Sequence, residues 1–169
     1  MRDNFDIYFI LTGGTIDAKT QGQERDALFN HSAIPDYINS LNLPGDFEFK
    51  QMVWKDSRDI SQEDRTNILK EIEKCGSKNI IITHGTYSMA ETARFLKNNM
   101  LSKNKTIILT GALVPITFKN SDAQANLRYA IGQLELLPPG VYVSMNGRSF
   151  LAEEAAKNEK TGEFYSLLK

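Results

Sequence analysis

Three short segments of the chain set threonine beside glycine: Thr12-Gly13-Gly14-Thr15-Ile16, Thr83-His84-Gly85-Thr86-Tyr87-Ser88 and Thr110-Gly111-Ala112. A threonine hydroxyl attacks a carbonyl carbon only when a base or a strong hydrogen bond helps remove its proton. Glycine next to it lets the backbone turn tightly and approach a ligand closely. Taken singly, residues 12–15 also read as a flexible turn with two solvated threonines. They are not a dinucleotide-binding loop, because the third glycine at the required offset is missing. Thr86 stands just before a helical segment, where unpaired backbone N–H groups favour negative charge developing on a ligand. His84 has two readings, a ring hydrogen-bonded inside a tight turn or a catalytic base. With two histidines (His31 and His84) and one cysteine (Cys75) in the chain, the spacing of a metal site is absent. No metal or cofactor is expected. A lone cysteine excludes an intramolecular disulfide, and Cys75 reads as a buried structural thiol.

Such segments need a scaffold that brings them to one edge. Short apolar runs at Ile7–Leu11, Asn79–Thr83, Thr106–Thr110 and 141–145 read as strands, with a weaker one at 48–54. Runs this short, rich in Ile and Val, suit a parallel sheet buried on both faces. Helical periodicity falls between them. Ser61 can cap a helix reaching Cys75, with Ile68, Leu69, Ile72 and Cys75 on one face. Ser88-Met89-Ala90-Glu91 fits a capping box ahead of Met89, Ala93, Leu96 and Met100. A third helix spans 122–137, burying Leu127, Ala130, Ile131 and Leu134 until Pro138-Pro139 stops it. The pattern predicts an α/β fold: a parallel sheet flanked by helices on both faces, with right-handed crossovers. Ligands of such sheets sit beyond the carboxyl ends of the strands, where the Thr-Gly segments fall.

The bulk properties agree. The chain has 169 residues, 41% of them hydrophobic and 24% charged, with net charge −1. That is one domain's length, expected to form a single domain over residues 1–169. A near-neutral chain without a basic stripe argues against nucleic acid as partner. The first residues lack an apolar signal core and no stretch approaches a membrane span, so a cytoplasmic protein without membrane partners is expected.

The Thr-Gly segments also carry a resemblance. Thr12-Gly13-Gly14-Thr15-Ile16 and Thr83-His84-Gly85-Thr86, the latter followed by Met89 and Glu91-Thr92-Ala93, resemble the two signature motifs of the L-asparaginase family. The likeness continues through Thr110-Gly111-Ala112, Ser121-Asp122-Ala123, Asn126-Leu127 and Met145-Asn146-Gly147-Arg148, in order over nearly the whole chain. It is similar in particular to short bacterial asparaginase-like proteins that keep the amino-terminal domain and lack the carboxyl-terminal one. The resemblance implies hydrolysis of a side-chain amide, of L-asparagine or a related compound, to the acid plus ammonia. It implies Thr15 as nucleophile and Thr86 with Lys157 as a second catalytic pair. Gly14, Ser57, Arg58, Gly85, Tyr87 and the Ala112 carbonyl then match the substrate-binding positions. No cofactor is implied; a small amide as ligand and a homo-oligomer, dimer or tetramer, are. Without the resemblance, Lys157 beside Glu153 and Glu154 reads as a solvated helix charge.

The sequence departs from the family pattern at several points. Tyr87 stands where the family has an aspartate that orients the lysine and pairs with the substrate ammonium. A phenol brings a hydrogen-bonding group but no carboxylate. Arg58 replaces a neutral side chain such as glutamine, and Leu28-Phe29 occupies the stretch that carries a loop tyrosine. A carboxyl-terminal domain that in the family contributes an acidic residue across a subunit interface is also expected to be absent. An electropositive pocket follows, which disfavours free L-asparagine and suits an anionic or amine-blocked amide or ester, unless Asp56 or Asp59 rotates in. Two functional readings stay open: a threonine amidohydrolase, and a ligand-binding or regulatory protein that keeps the fold without turnover. A nucleotide-binding domain of flavodoxin type fits the sheet pattern but lacks a phosphate loop.

Overall fold

Strand residues buried on both faces alternate strictly between two helix layers. In a computed structural model, which describes residues 7–18 and 32–168, β1 (Ile7–Leu11) points Tyr8 and Ile10 to one layer and Ile7, Phe9 and Leu11 to the other. Leu28-Phe29 and His31 lie outside the described residues. β3 (Asn79–Thr83) and β4 (Thr106–Thr110) divide in the same way, with Ile80, Ile82, Ile107 and Leu109 opposite Ile81 and Ile108. Burial of such side chains contributes about 1.5–3 kcal/mol each, and a period of two delivers it to both faces of one sheet.

The remaining strands are β2 (Phe47–Gln51), β5 (Gly140–Met145) and β6 (Arg148–Leu151). Among the described residues they form a six-stranded sheet in the order β2-β1-β3-β4-β5-β6, parallel except for antiparallel β6 at the edge. A separate antiparallel hairpin joins β7 (Ala155–Lys157) to β8 (Phe164–Ser166). The expected α/β architecture with helices on both faces is present.

Helices α2 (Gln62–Lys74) and α3 (Met89–Asn99) cover one face, while α1 (Ile34–Ser40) and α4 (Ala123–Gln133) cover the other. The steps β3 to β4 and β4 to β5 run in the same direction across the sheet, yet α3 and α4 lie on opposite faces. Their crossovers therefore have opposite hands, and uniformly right-handed crossovers, the near-universal rule, do not hold here. What α4 gains on its face is contact with the loop after β4. The Asn126 side-chain amide donates to the Gly111 carbonyl (2.9 Å), and its oxygen accepts from the Asn146 N–H (3.0 Å).

Several local expectations need correction. The capping box lies at Ser61 and Asp64, each satisfying the other's backbone N–H, at the start of α2. Ser88 makes no such cap, because its hydroxyl instead donates to the Ser57 carbonyl (2.5 Å). Helix α4 ends at Gln133 rather than 137, relaxing into turns ahead of Pro138-Pro139. Cys75 caps the end of α2 and is half-buried, with burial raising its thiol pKa. Lys157 lies on β7 and not on a helix.

Candidate active site

The strand register places three loops at one level: Leu11 pairs with Thr83, and Thr83 with Thr110, at the carboxyl ends of β1, β3 and β4. β1 continues to its left-hand neighbour β2, whereas β2 crosses back to β3 on the other side of β1. The crevice between the ends of β1 and β3 is thus the switch point where open α/β sheets bind ligands. Backbone bonds lock it, with the Thr12 N–H donating to the Thr83 carbonyl (3.2 Å) and the His84 N–H to the Thr110 carbonyl (2.8 Å).

Two glycines let these loops touch. Gly14 has φ +80°, and a Cβ there would sit 2.6 Å from the Gly85 Cα and N. A Cβ on Gly85 would in turn lie 2.7 Å from the Ser57 side chain. Any larger residue at either position would force apart the loops following β1, β2 and β3.

What these contacts enclose is a cavity of about 220 Å³. The loop after β1 lines it with Gly14 and Thr15, and the loop after β2 with Asp56, Ser57 and Arg58. The loop after β3 adds Gly85, Thr86 and Tyr87, and β7 adds Lys157. Every sequence-derived site residue except Ala112 is therefore at its wall. Ala112 is buried, packed in the apolar layer with Ile116 and Ala123, and is not among the lining residues.

Thr15 opens a 3₁₀ turn that runs to Asp17 and is half-buried. Asp17 ties this turn to the approach to α1, its Oδ1 accepting from the Ser32 hydroxyl (2.9 Å) and the Ala33 N–H (3.1 Å). Burial pushes the Asp17 carboxyl pKa up. Thr86 is buried, and its Oγ1 accepts a 2.9 Å hydrogen bond from Lys157 Nζ. Lys157 comes from far along the chain, held there because Arg94 of α3 donates to the Ala155 carbonyl (3.0 Å) and Ala155 and Phe164 enter the core. The Ser57 hydroxyl oxygen accepts from the Ser88 N–H (3.3 Å), so its own proton can be offered to a ligand.

Asp56 is a wall residue that sequence reasoning raised only as a stand-in partner for an ammonium group. Its Oδ1 accepts from the Arg58 N–H and Nε, both at 2.8 Å, and its Oδ2 from Nη2 at 2.7 Å. Such a forked, doubly bonded pair is the strong form of carboxylate–guanidinium contact. Arg58 therefore does not make the pocket strongly positive, because its charge is offset within the same wall. Its guanidinium carbon also lies 5.9 Å from the centre of the Tyr87 ring, and Tyr87 is 57% exposed at the cavity mouth. Asp59 does not line the cavity.

Behind the wall lies a polar chain that the sequence did not announce. His84 is fully buried, its Nδ1 2.8 Å from the Gly85 carbonyl and its Nε2 3.0 Å from Thr92 Oγ1. A carbonyl only accepts, so Nδ1 carries the proton and Thr92 donates to Nε2. Thr92 in turn accepts from Arg65 Nε (3.1 Å), and Arg65 Nη1 pairs with Glu91 (3.0 Å). Burial lowers the His84 pKa to about 4, in keeping with a neutral ring. Of the two readings of His84, the geometry matches the hydrogen-bonded turn residue. Arg65 and Thr92 are 27 positions apart, and no spacing in the sequence signals their pairing.

Comparison with known proteins gives a consistent result. The family model described as "Asparaginase, N-terminal" matches residues 6–164. A protein described as a probable periplasmic L-asparaginase of Haemophilus influenzae is 31% identical over 168 residues, covering 92% of this chain and 47% of the relative. The thermostable L-asparaginase of Thermococcus kodakarensis superposes with a TM-score of 0.85 at 28% identity, covering 96% of this chain and 51% of that one. A probable cytoplasmic L-asparaginase of Campylobacter jejuni gives 0.81 at 26%, covering 95% and 52%. The chain spans about half the length of the relatives it matches.

Proposed function

The chain belongs to the asparaginase family, matching its N-terminal domain, and from that premise we propose that it is an amidohydrolase with Thr15 as nucleophile. The observation that carries the proposal is the meeting of Thr15 with the bonded pair Thr86–Lys157 in one cavity at the switch point of the sheet. Thr15 Oγ adds to the amide carbon as its proton is relayed through the Thr86 hydroxyl, which the Lys157 ammonium holds, toward the amide nitrogen. The nitrogen departs with that proton as ammonia, and the acyl group stays on Thr15 as an ester. Water then adds to the ester, the acid departs and the hydroxyl is restored. Gly14 and Thr86 supply backbone N–H groups to the tetrahedral oxyanion, worth about 3 kcal/mol per donor. Ser57 and Arg58 hold the carboxylate end of the substrate. Ammonia release that is lost in Thr15→Ala tests this reading.

A second reading, a ligand-binding or regulatory protein without turnover, is favoured by one observation: the carboxylate in the wall, Asp56, is engaged by Arg58. Ligand-induced thermal stabilisation with no ammonia release from any amide would select it.

On the same reading the described residues act as one domain, and the protein works in the cytoplasm as a homo-oligomer, dimer or tetramer. Support for association comes from exposed Tyr165, Leu167 and Leu168 on and beyond β8. Light scattering should return a multiple of the monomer mass; a monomer at high micromolar concentration would contradict it. Among the described residues, no helix is long and apolar enough to cross a membrane.

A further inference from the structure

The charged groups of the cavity wall bear on which ligands it would accept. Among the described residues that line it, the charged groups are Asp56, Arg58 and Lys157. Asp56 is 7% exposed and both its oxygens accept from Arg58, so the pair acts as one neutral unit whose guanidinium side faces Tyr87. That leaves the Lys157 ammonium, bonded to Thr86, as the net charge of the described wall residues. A ligand ammonium entering here meets a phenol, a carboxylate already engaged by its own guanidinium, and a second ammonium. Like charges brought together while losing water cost more than any hydrogen bond to Tyr87 regains. A carboxylate entering the same space is attracted instead.

Resting on the amidohydrolase reading, we infer that the substrate is the amide of a carboxylic acid that carries no free ammonium group: a dicarboxylate monoamide, or an asparagine whose amine is acylated. The Asp56–Arg58 fork is the specificity element, because it withdraws the one carboxylate that an ammonium could use among the described wall residues. At about 220 Å³ the cavity suits a small acid, being below the ~300–1,000 Å³ typical of drug-sized ligands. An acyl substituent has room to leave over Tyr87, since Thr86, Tyr87 and Lys157 also line an adjoining groove of about 510 Å³.

Calorimetry with succinate and L-aspartate, which differ only by the ammonium, tests the inference without needing turnover. Succinate is expected to bind at least ~30-fold more tightly to the wild-type protein. Two variants should shift the ratio toward aspartate: Arg58→Gln, which releases the Asp56 carboxylate, and Tyr87→Asp, which adds one at the exposed mouth. Aspartate binding as well as succinate, no measurable binding of succinate, or a ratio unmoved in both variants would overturn the inference. Ammonia release from succinamate, N-acetyl-L-asparagine and L-asparagine separates it from the reading on which it rests. Faster release from L-asparagine than from either of the others would overturn the charge selection while leaving the amidohydrolase intact. No release from any of them, with succinate still the tighter ligand, would remove the amidohydrolase and keep the charge selection.

Discussion

At the scale of single residues, the account turns on which groups are spent on one another. Asp56 is spent on Arg58, Lys157 on Thr86, and His84 on Gly85 and Thr92. The last has a pH signature. The folded-state pKa of His84 is lowered to about 4 from an ordinary 6.5, so the fold prefers the neutral ring. Above pH 6.5 both folded and unfolded chains are neutral at this site and its stabilisation is complete. As pH falls toward 4 the unfolded chain binds the proton first, and about 3 kcal/mol of stability is lost. Denaturant unfolding at pH 7 and pH 4.5 should show this loss in the wild type and a smaller one in His84→Asn, whose amide can still donate to Gly85. Equal pH slopes would mean that His84 is not buried neutral. At this scale the sequence was partly legible. Thr15 and Thr86 stood out because each sits in a Thr-Gly segment, whereas Lys157 entered only through the family resemblance and by itself read as a solvated helix charge. The Asp56–Arg58 fork and the Arg65–Thr92–His84 chain could not be read, since they depend on side-chain directions that no local pattern encodes.

Among the elements, what matters is how closely three loops approach. Gly14 meets Gly85 and Gly85 meets Ser57 through gaps that admit no Cβ. Gly14→Ala should therefore cost both strain at positive φ and a displacement of the loop after β3. The expected result is a fall in stability of at least ~1 kcal/mol together with loss of amide turnover. Wild-type stability and turnover in this variant would contradict the packing described. The strands themselves were the most legible part, because Ile-rich runs of five residues bounded by polar turns leave little choice once both faces must be buried. Ser88 misled for a physical reason: a serine ahead of a glutamate three residues on fits a cap, but the Ser57 carbonyl offered a better acceptor. Helix α1 and the hairpin β7–β8 escaped notice because seven and three residues are too short to establish a period.

For the whole molecule, the sheet order concentrates chemistry at one crevice. Strands β1 and β3 are neighbours, yet the chain leaves them in opposite senses, and this opens the space into which Thr15 and Thr86 face a common cavity. Lys157 reaches it from the last tenth of the chain only because the β7–β8 hairpin folds back on α3. The alternation of strands and helices announced the layered sheet but not the opposite hand of the α4 crossover, since handedness leaves no trace in periodicity. The central claim is that this crevice hydrolyses amides through Thr15, and ammonia release tests it most directly. The wild-type protein and Thr15→Ala would be compared on succinamate, N-acetyl-L-asparagine, L-asparagine and L-glutamine. The account predicts release from at least one amide, reduced at least ~1,000-fold in Thr15→Ala. Release that survives the substitution, or none from any of the four, would contradict it.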